Sequence, residues 1–190
     1  MKKKIAIFGS TGSIGKTLLE LIEKDKENFE VTLLTANKNY KDLIKQAKYF
    51  NVKNIIISDN EKFNFLRKNY NLKKINVYED FSKLRKIFKK KNDFIMSSIT
   101  GIDGLKPTLE CIKYTKNILI ANKEALICGW NLIDNELKKH KTDFIPVDSE
   151  HFSIWYAIKD IDKMLIEKIY LTASGGPFLK IPLQNLQKVK

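Results

Sequence analysis

Gly9-Ser10-Thr11-Gly12-Ser13-Ile14-Gly15 follows the apolar run Ile5-Ala6-Ile7-Phe8 and opens a stretch in which Ile14, Leu18, Leu21 and Ile22 recur at helical spacing. The order is strand, glycine turn, helix. Such a unit aims the amide N–H groups of a helix N-terminus at an anion, most often a phosphate. Glycine lets the backbone approach that anion and lets the helix lie close against the strand. Two phosphate-binding templates compete here. A P-loop needs Gly, four residues, then Gly-Lys-Ser/Thr. Gly15-Lys16-Thr17 supplies its end, but Ser10 stands where its first glycine belongs. The dinucleotide pattern G-x-G-x-x-G has Thr11 at its second glycine. What remains is the variant G-x-x-G-x-x-G, and an ordinary turn that binds nothing is the third reading.

The composition narrows the class. In 190 residues, 43% are hydrophobic, enough for a sizeable core. No apolar run approaches the ~20 residues that cross a bilayer. The basic start Met1-Lys2-Lys3-Lys4 leads into a run too short for a signal-peptide core. A cytoplasmic protein without membrane partners is expected. The net charge of +13 raises nucleic-acid binding, but arginine stands only at 67 and 85. Arginine is the residue suited to bidentate phosphate and base contacts. The lysines are dispersed, so no nucleic-acid partner is expected. Lys89-Lys90-Lys91 reads as the end of a helix over 80–91, where positive charge suits the dipole. Cys111 and Cys128 lie in apolar settings without a CxxC spacing and read as buried thiols.

Glu30 to Thr35 reads as the second strand, and it runs into Ala36-Asn37-Lys38-Asn39. In an NAD site this strand ends in an acid that holds the ribose 2′-hydroxyl. Here no acid follows, and Lys38 lies where a 2′-phosphate would sit. A cation without a carboxylate favours NADP on Coulombic grounds. Further short apolar runs at 54–58, 75–78, 93–98, 117–121 and 144–147 alternate with helical stretches at 40–50, 62–68, 80–91 and 100–114. This alternation predicts an α/β fold: a Rossmann-like, doubly wound, mainly parallel sheet. Ligands of such sheets bind beyond the carboxyl ends of the strands.

Polar residues gather at two later strand ends. Asn117 to Ala121 runs directly into Asn122-Lys123-Glu124. A helix cap explains Asn122 and Glu124. It does not explain Lys123, because a cation there opposes the helix dipole. Phe144 to Val147 is followed by Asp148-Ser149-Glu150-His151. In extended backbone the i, i+2 spacing puts both carboxylates on one side, where two hard oxygen ligands suit Mg²⁺ or Mn²⁺. A helix start at Asp148 or Ser149 is the equal alternative. A strand over 167–173 ends in Ser174-Gly175-Gly176-Pro177-Phe178, a second candidate anion nest or a plain turn. Lys180 to Lys190 reads as the start of a helix.

Taken in order, Gly9 to Gly15, Ala121-Asn-Lys-Glu124, Pro146-Val-Asp-Ser-Glu-His151 and Ser174-Gly-Gly-Pro-Phe178 resemble the N-terminal part of the 1-deoxy-D-xylulose 5-phosphate reductoisomerase family. The resemblance covers about residues 3 to 182. It implies an NADPH- and metal-dependent enzyme that rearranges the sugar phosphate and reduces the product to 2-C-methyl-D-erythritol 4-phosphate, in isoprenoid biosynthesis. It implies that Thr11, Gly12, Ser13 and Ile14 hold the NADPH pyrophosphate and Asn37, Lys38 and Asn39 the 2′-phosphoribose, although the family usually has Gly at the position of Asn37. Asn122 and Glu124 would line the nicotinamide, and Lys123 would touch substrate. Asp148 and Glu150 would bind the Mg²⁺ or Mn²⁺, Ser149 and Glu150 the substrate, and Ser174 its phosphate. Lys123 and Glu150 are the candidate catalytic residues.

The expected division is an NADPH-binding domain over 1–147 and the beginning of a truncated α+β catalytic domain over 148–190. Family members are longer, so an inactive fragment of a homodimeric enzyme is expected. The alternatives are a non-catalytic NADP(H)-binding module and another NADP-dependent dehydrogenase. The latter commonly uses a Cys nucleophile, and neither Cys111 nor Cys128 stands in a polar strand end.

Overall fold

The computed structural model describes residues 1–170 and 180–186. The chain divides into two compact units, Met1–Asp148 and Ser149–Lys190.

The first unit is built on seven strands: β1 (Lys3–Phe8), β2 (Phe29–Ala36), β3 (Asn54–Ile57), β4 (Asn76–Tyr78), β5 (Asn92–Ser97), β6 (Thr115–Ile120) and β7 (Asp143–Pro146). All pairings are parallel, in the order β4-β3-β2-β1-β5-β6-β7. Parallel strands covered on both faces need near-continuous apolar runs. Ile5, Ala6, Ile7 and Phe8 meet that demand, each at most 3% exposed. Because the pleat alternates, Ile5 and Ile7 join one core and Ala6 and Phe8 the other. The core of Ile5 and Ile7 packs under α1 (Ser13–Lys24), α2 (Tyr40–Tyr49) and α3 (Asn60–Asn69). The core of Ala6 and Phe8 packs under α4 (Leu84–Ile87), α5 (Leu105–Cys111) and α6 (Lys123–His140).

Three helical readings change. In α1 the buried face is Gly15, Leu19 and Ile22, while Ile14 and Leu21 are 40% and 57% exposed. The glycine contact described below sets the phase of the helix, so the apolar stripe rotates by one residue from its expected position. The helix over 80–91 is interrupted. A 3₁₀ turn at Phe81–Lys83 leads into α4, which stops at Ile87 because Phe88 is extended (φ −99°, ψ 103°). Lys89 to Lys91 therefore do not end a helix of useful dipole. The stretch after Gly101 is a 3₁₀ turn, the seven residues of α5 and a second 3₁₀ turn to Tyr114. Pro107 lies in its first turns, where a missing N–H is tolerated.

The two cysteines part company. Cys111 is buried, and burial pushes its thiol pKa far up. Cys128 is exposed, against expectation, because α6 turns it away from the sheet. Its i+4 and i+5 neighbours Leu132 and Ile133 differ in the same way, at 55% and 0% exposure. A thiol-specific reagent at neutral pH should therefore modify one cysteine in the native chain and two after denaturation; rapid modification of both in native protein would contradict this burial.

The second unit contains α7 (Ser149–Ile158), a 3₁₀ turn at Lys163–Leu165 and α8 (Leu183–Leu186). Residues 167–170 are not in a strand, and the rest of that expected strand lies outside the described residues. Of the helix expected from Lys180, the described part is α8 alone. Among the described residues, no helix is long and apolar enough to cross a membrane.

Candidate active site

The strand order reverses between β1 and β5, so the crevice beyond their carboxyl ends is the topological switch point. Each ladder continues one or two residues past its strand. Ser98 N donates to Phe8 O, Ser10 N to Thr35 O, Ser58 N to Ala36 O, Ala121 N to Ser97 O, and Val147 N to Ile120 O, all at 2.9–3.1 Å. Loop residues at this edge are thus hydrogen-bonded to the ends of the strands.

The glycine turn is shaped by two close approaches. Gly9 has φ +80°, and a Cβ there would lie 2.8 Å from Ser98 O. A Cβ on Gly15 would lie 2.5 Å from Gly9 O and 2.6 Å from Ser10 Cα. The first turn of α1 can press on the end of β1 only without side chains at both positions. Gly12 N donates to Gly9 O, and Lys16 N to Gly12 O. The N-cap Gly12 offers no side-chain acceptor, so the amides of Ser13, Ile14 and Gly15 precede the first helical hydrogen bond. Gly12, Ser13 and Ile14 are exposed and Thr11 half-buried. This cradle fits a phosphate group. The P-loop reading fails on spacing, and Lys16 Nζ lies 3.2 Å from Asp42 Oδ2 on α2.

Gln46 braces the turn and carries no signal in the sequence. Its Nε2 donates to Ser10 O at 2.9 Å, and its Oε1 accepts from Ser10 Oγ at 2.8 Å. Thr35 Oγ1 accepts from Gly9 N at 3.0 Å. No local spacing marks a bond between residues 36 apart.

Asn37, Lys38 and Asn39 follow β2 and are exposed. Asn39 caps α2, accepting from Asp42 N at 3.2 Å. Lys38 Nζ lies 3.9 Å from Asp59 Oδ2, which also caps α3 through Lys62 N. The acid absent after β2 thus arrives from the end of β3, as a partner to the lysine. Lys38 is 74% exposed and can turn to a bound phosphate.

At the end of β6, Asn122 is 4% exposed, and every polar group of its side chain is engaged. Its Oδ1 accepts from Ala125 N at 2.9 Å, capping α6. Its Nδ2 donates to Ile99 O at 2.5 Å and Gly101 O at 2.6 Å. Gly104 makes room, since a Cβ there would collide with the Asn122 amide. The cap reading of Asn122 and Glu124 therefore holds for the backbone. Asn122 is a clamp between the loop after β5 and the first turn of α6. Lys123 is half-buried and Glu124 exposed.

Asp148 closes the first unit and is half-buried. Ser149 and Glu150 begin α7, where Ser149 Oγ donates to Glu150 Oε2 at 3.0 Å. The extended i, i+2 argument for the two carboxylates is thereby corrected, because a helix starts at Ser149. Two carboxylates so close in sequence remain a donor set suited to a hard cation. Ser174 lies outside the described residues. Among the described residues, no group of three His, Cys, Asp or Glu gathers to hold a metal by itself.

The glycine turn, the β2 end, the β6 end and Asp148 all stand at the carboxyl edge of one sheet. The fold that carries them is shared with known proteins. A solved 1-deoxy-D-xylulose 5-phosphate reductoisomerase from Zymomonas mobilis in complex with NADPH superposes with TM-score 0.85 at 34% identity, over 100% of this chain and 50% of that one. A DOX-P reductoisomerase in complex with NADPH, fosmidomycin and magnesium gives TM-score 0.81 at 29% identity, over 98% and 49%. The reductoisomerase of Pelagibacter ubique is 56% identical over 189 residues, 98% of this chain and 49% of the relative. That of Thermoanaerobacter sp. is 39% identical, with the same coverage. The chain thus spans about half the length of the curated relatives it matches. The family model for 1-deoxy-D-xylulose 5-phosphate reductoisomerase matches residues 5–129, and the model for its C-terminal domain matches 144–190. With more than half of its length under the first model and the second following in order, the chain belongs to the 1-deoxy-D-xylulose 5-phosphate reductoisomerase family.

Proposed function

We propose that this chain carries the NADPH-binding part of a reductoisomerase that converts 1-deoxy-D-xylulose 5-phosphate to 2-C-methyl-D-erythritol 4-phosphate in the cytoplasm. The supporting observation is the cradle at Gly9, Gly12 and Gly15, at the switch point of a sheet shared with a relative solved with NADPH. Residues 1–147 form the cofactor domain in this reading, and 148–190 begin the catalytic domain. Backbone amides from Thr11 to Ile14 take the pyrophosphate, with no charged side chain needed. Asn37, Lys38 and Asn39 take the 2′-phosphoribose, Lys38 exchanging Asp59 for the phosphate. Glu124 lines the nicotinamide, and Asn122 acts there by fixing the backbone around it.

Asp148 and Glu150 would hold Mg²⁺ or Mn²⁺, which supplies Lewis-acid charge when bound. Lys123 places a further positive charge at the substrate oxygens, where a drier site strengthens it. Ser149, Glu150 and Ser174 orient the substrate. NADPH supplies the hydride, and the protein supplies its position. A homodimer is part of this proposal. The chain is expected to bind NADPH. Neither thiol suits the Cys-nucleophile dehydrogenase alternative: Cys111 is buried with a raised pKa, and Cys128 lies a full turn into α6.

The test has two stages. The chain is titrated with NADPH and NADH. Lys38→Gln should weaken NADPH by about tenfold and leave NADH unchanged, since only NADPH carries the 2′-phosphate. Equal loss for both would remove Lys38 from the cofactor site. Joined to the remaining half of the Pelagibacter ubique relative, the chain should oxidise NADPH when metal and 1-deoxy-D-xylulose 5-phosphate are added. Full turnover by Asp148→Asn in that chimera would overturn the metal assignment.

A further inference from the structure

At the opposite edge of the sheet, by the amino ends of β1, β2, β3 and β5, lies a cleft of about 670 Å³. That size is typical of small-molecule sites. Six lysines line it: Lys2, Lys4, Lys26, Lys53, Lys89 and Lys90. Glu30 is its one carboxylate, 4.0 Å from Lys4 Nζ. Lys26 is engaged with Tyr49 and Glu23, at 2.9 and 3.7 Å. Lys2 Nζ donates to Lys26 O. Among the described residues, Lys53, Lys89 and Lys90 have no ion-pair partner.

The bland account is that lysines suit the carboxyl ends of α1 and α2, which also point to this edge. It covers Lys26. It does not cover Lys53, which precedes β3, nor Lys89 and Lys90. Those two follow the four-residue α4, which is too short to need them. Their neighbour Lys91 is spent elsewhere, donating to His140 O at 2.7 Å. The charge therefore converges on a cleft whose own carboxylate, Glu30, answers only Lys4. One wall is aromatic. Tyr49, 53% exposed, meets Phe50 edge-on at 5.0 Å between ring centroids, with Phe29 beside them in the lining.

We propose that this cleft is a second ligand site, distinct from the glycine turn, that takes a multiply charged phosphate compound bearing a flat ring, of the nucleoside triphosphate class. Lysine ammonium groups act as point charges on the phosphates, and the aromatic wall receives the ring once Lys26 Nζ, 4.1 Å from the Tyr49 ring centroid, turns from it to a phosphate. The site is independent of the reductoisomerase reading, since no residue is shared with the cofactor edge.

The test titrates the chain with ATP and with inorganic tripolyphosphate, following heat by calorimetry. A triple variant, Lys53→Gln with Lys89→Gln and Lys90→Gln, should weaken ATP by about tenfold, because three partly exposed charge contacts are lost together. Its thermal unfolding should stay at the wild-type temperature. Gly15→Ala, which displaces the glycine turn, should leave ATP binding unchanged. ATP should bind more tightly than tripolyphosphate. No ATP binding at millimolar concentration, or loss on Gly15→Ala with none in the triple variant, would overturn the proposal. Equal affinity for tripolyphosphate would remove the ring from the ligand and overturn the nucleotide assignment. NADPH is not used, so failure of the cofactor reading would not be mistaken for failure here.

Discussion

Gly15→Ala should lower the melting temperature by about 4–8 °C and abolish measurable NADPH binding. The size follows from two opposed effects. Alanine is the better helix former by about 1 kcal/mol, which alone would stabilise α1. Against this, the added Cβ would sit 2.5 Å from Gly9 O and 2.6 Å from Ser10 Cα. Both are backbone atoms of a turn anchored to β2 through Ser10 N and Thr35 O, so neither can swing aside. The helix must move away from the strand, and overpacking of this kind costs about 3 kcal/mol or more. For a chain of this length each net kcal/mol is worth about 2–4 °C. Displacing the first turn also carries the amides of Ser13 and Ile14 away from any phosphate. Gly12→Ala is the control. Its Cβ would meet only Gly9 O, at 3.4 Å, and its melting temperature should shift little. A thermal melt and an NADPH titration of both variants decide the matter. Wild-type stability and affinity in Gly15→Ala would mean that the close approach has no consequence.

The contrast between those two glycines shows what the sequence alone could carry. The sheet was legible because parallel, doubly covered strands must be apolar throughout, and runs such as Ile55-Ile56-Ile57 admit few other uses. The site's location followed, since ligands of such sheets bind at the carboxyl ends of the strands. What escaped was whatever depends on contacts distant in sequence. The phase of α1 is set by Gly15 against Gly9, and hydrophobic spacing pointed one residue away. Gln46 holds Ser10 from 36 residues off, and Asp59 meets Lys38 from the next strand. At Asp148 and Glu150 the extended reading and the helix start stood level, because Ser149-Glu150-His151 carries no strong helix signal beyond a cap, and the helix is what forms. Asn122 was half legible. Its cap follows from position, but its two bonds to the loop after β5 do not.

Those two bonds make Asn122→Asp the more telling substitution at the other side of the site. As an N-cap, Asp equals Asn, so a residue that only capped α6 would tolerate the change. Asn122 Nδ2, however, faces Ile99 O and Gly101 O at 2.5 and 2.6 Å in a position 4% exposed. A carboxylate there would point an anion at two carbonyl oxygens and leave both without their donor. Each buried acceptor so stranded costs about 1–3 kcal/mol, and repulsion adds to it. Asn122→Asp should therefore lose about 3–5 kcal/mol at pH 7, more than Asn122→Ala, which loses the cap but adds no charge. The pH dependence has a definite sign. Repulsion raises the pKa of the introduced carboxyl group in the folded state above its unfolded value of about 3.9. The penalty is then fully present above the folded pKa and fades as pH falls toward the unfolded one, because the protonated acid can donate one bond. Denaturant unfolding of wild type and both variants across that range tests this. With the clamp loosened, α6 would begin later and Lys123 would lose its place at the strand end. In the chimeric enzyme that loss should appear in kcat as well as in NADPH affinity, even at a temperature where the variant stays folded. An Asn122→Asp protein as stable as wild type at pH 7 would reduce Asn122 to a helix cap and leave the position of Lys123 without an explanation.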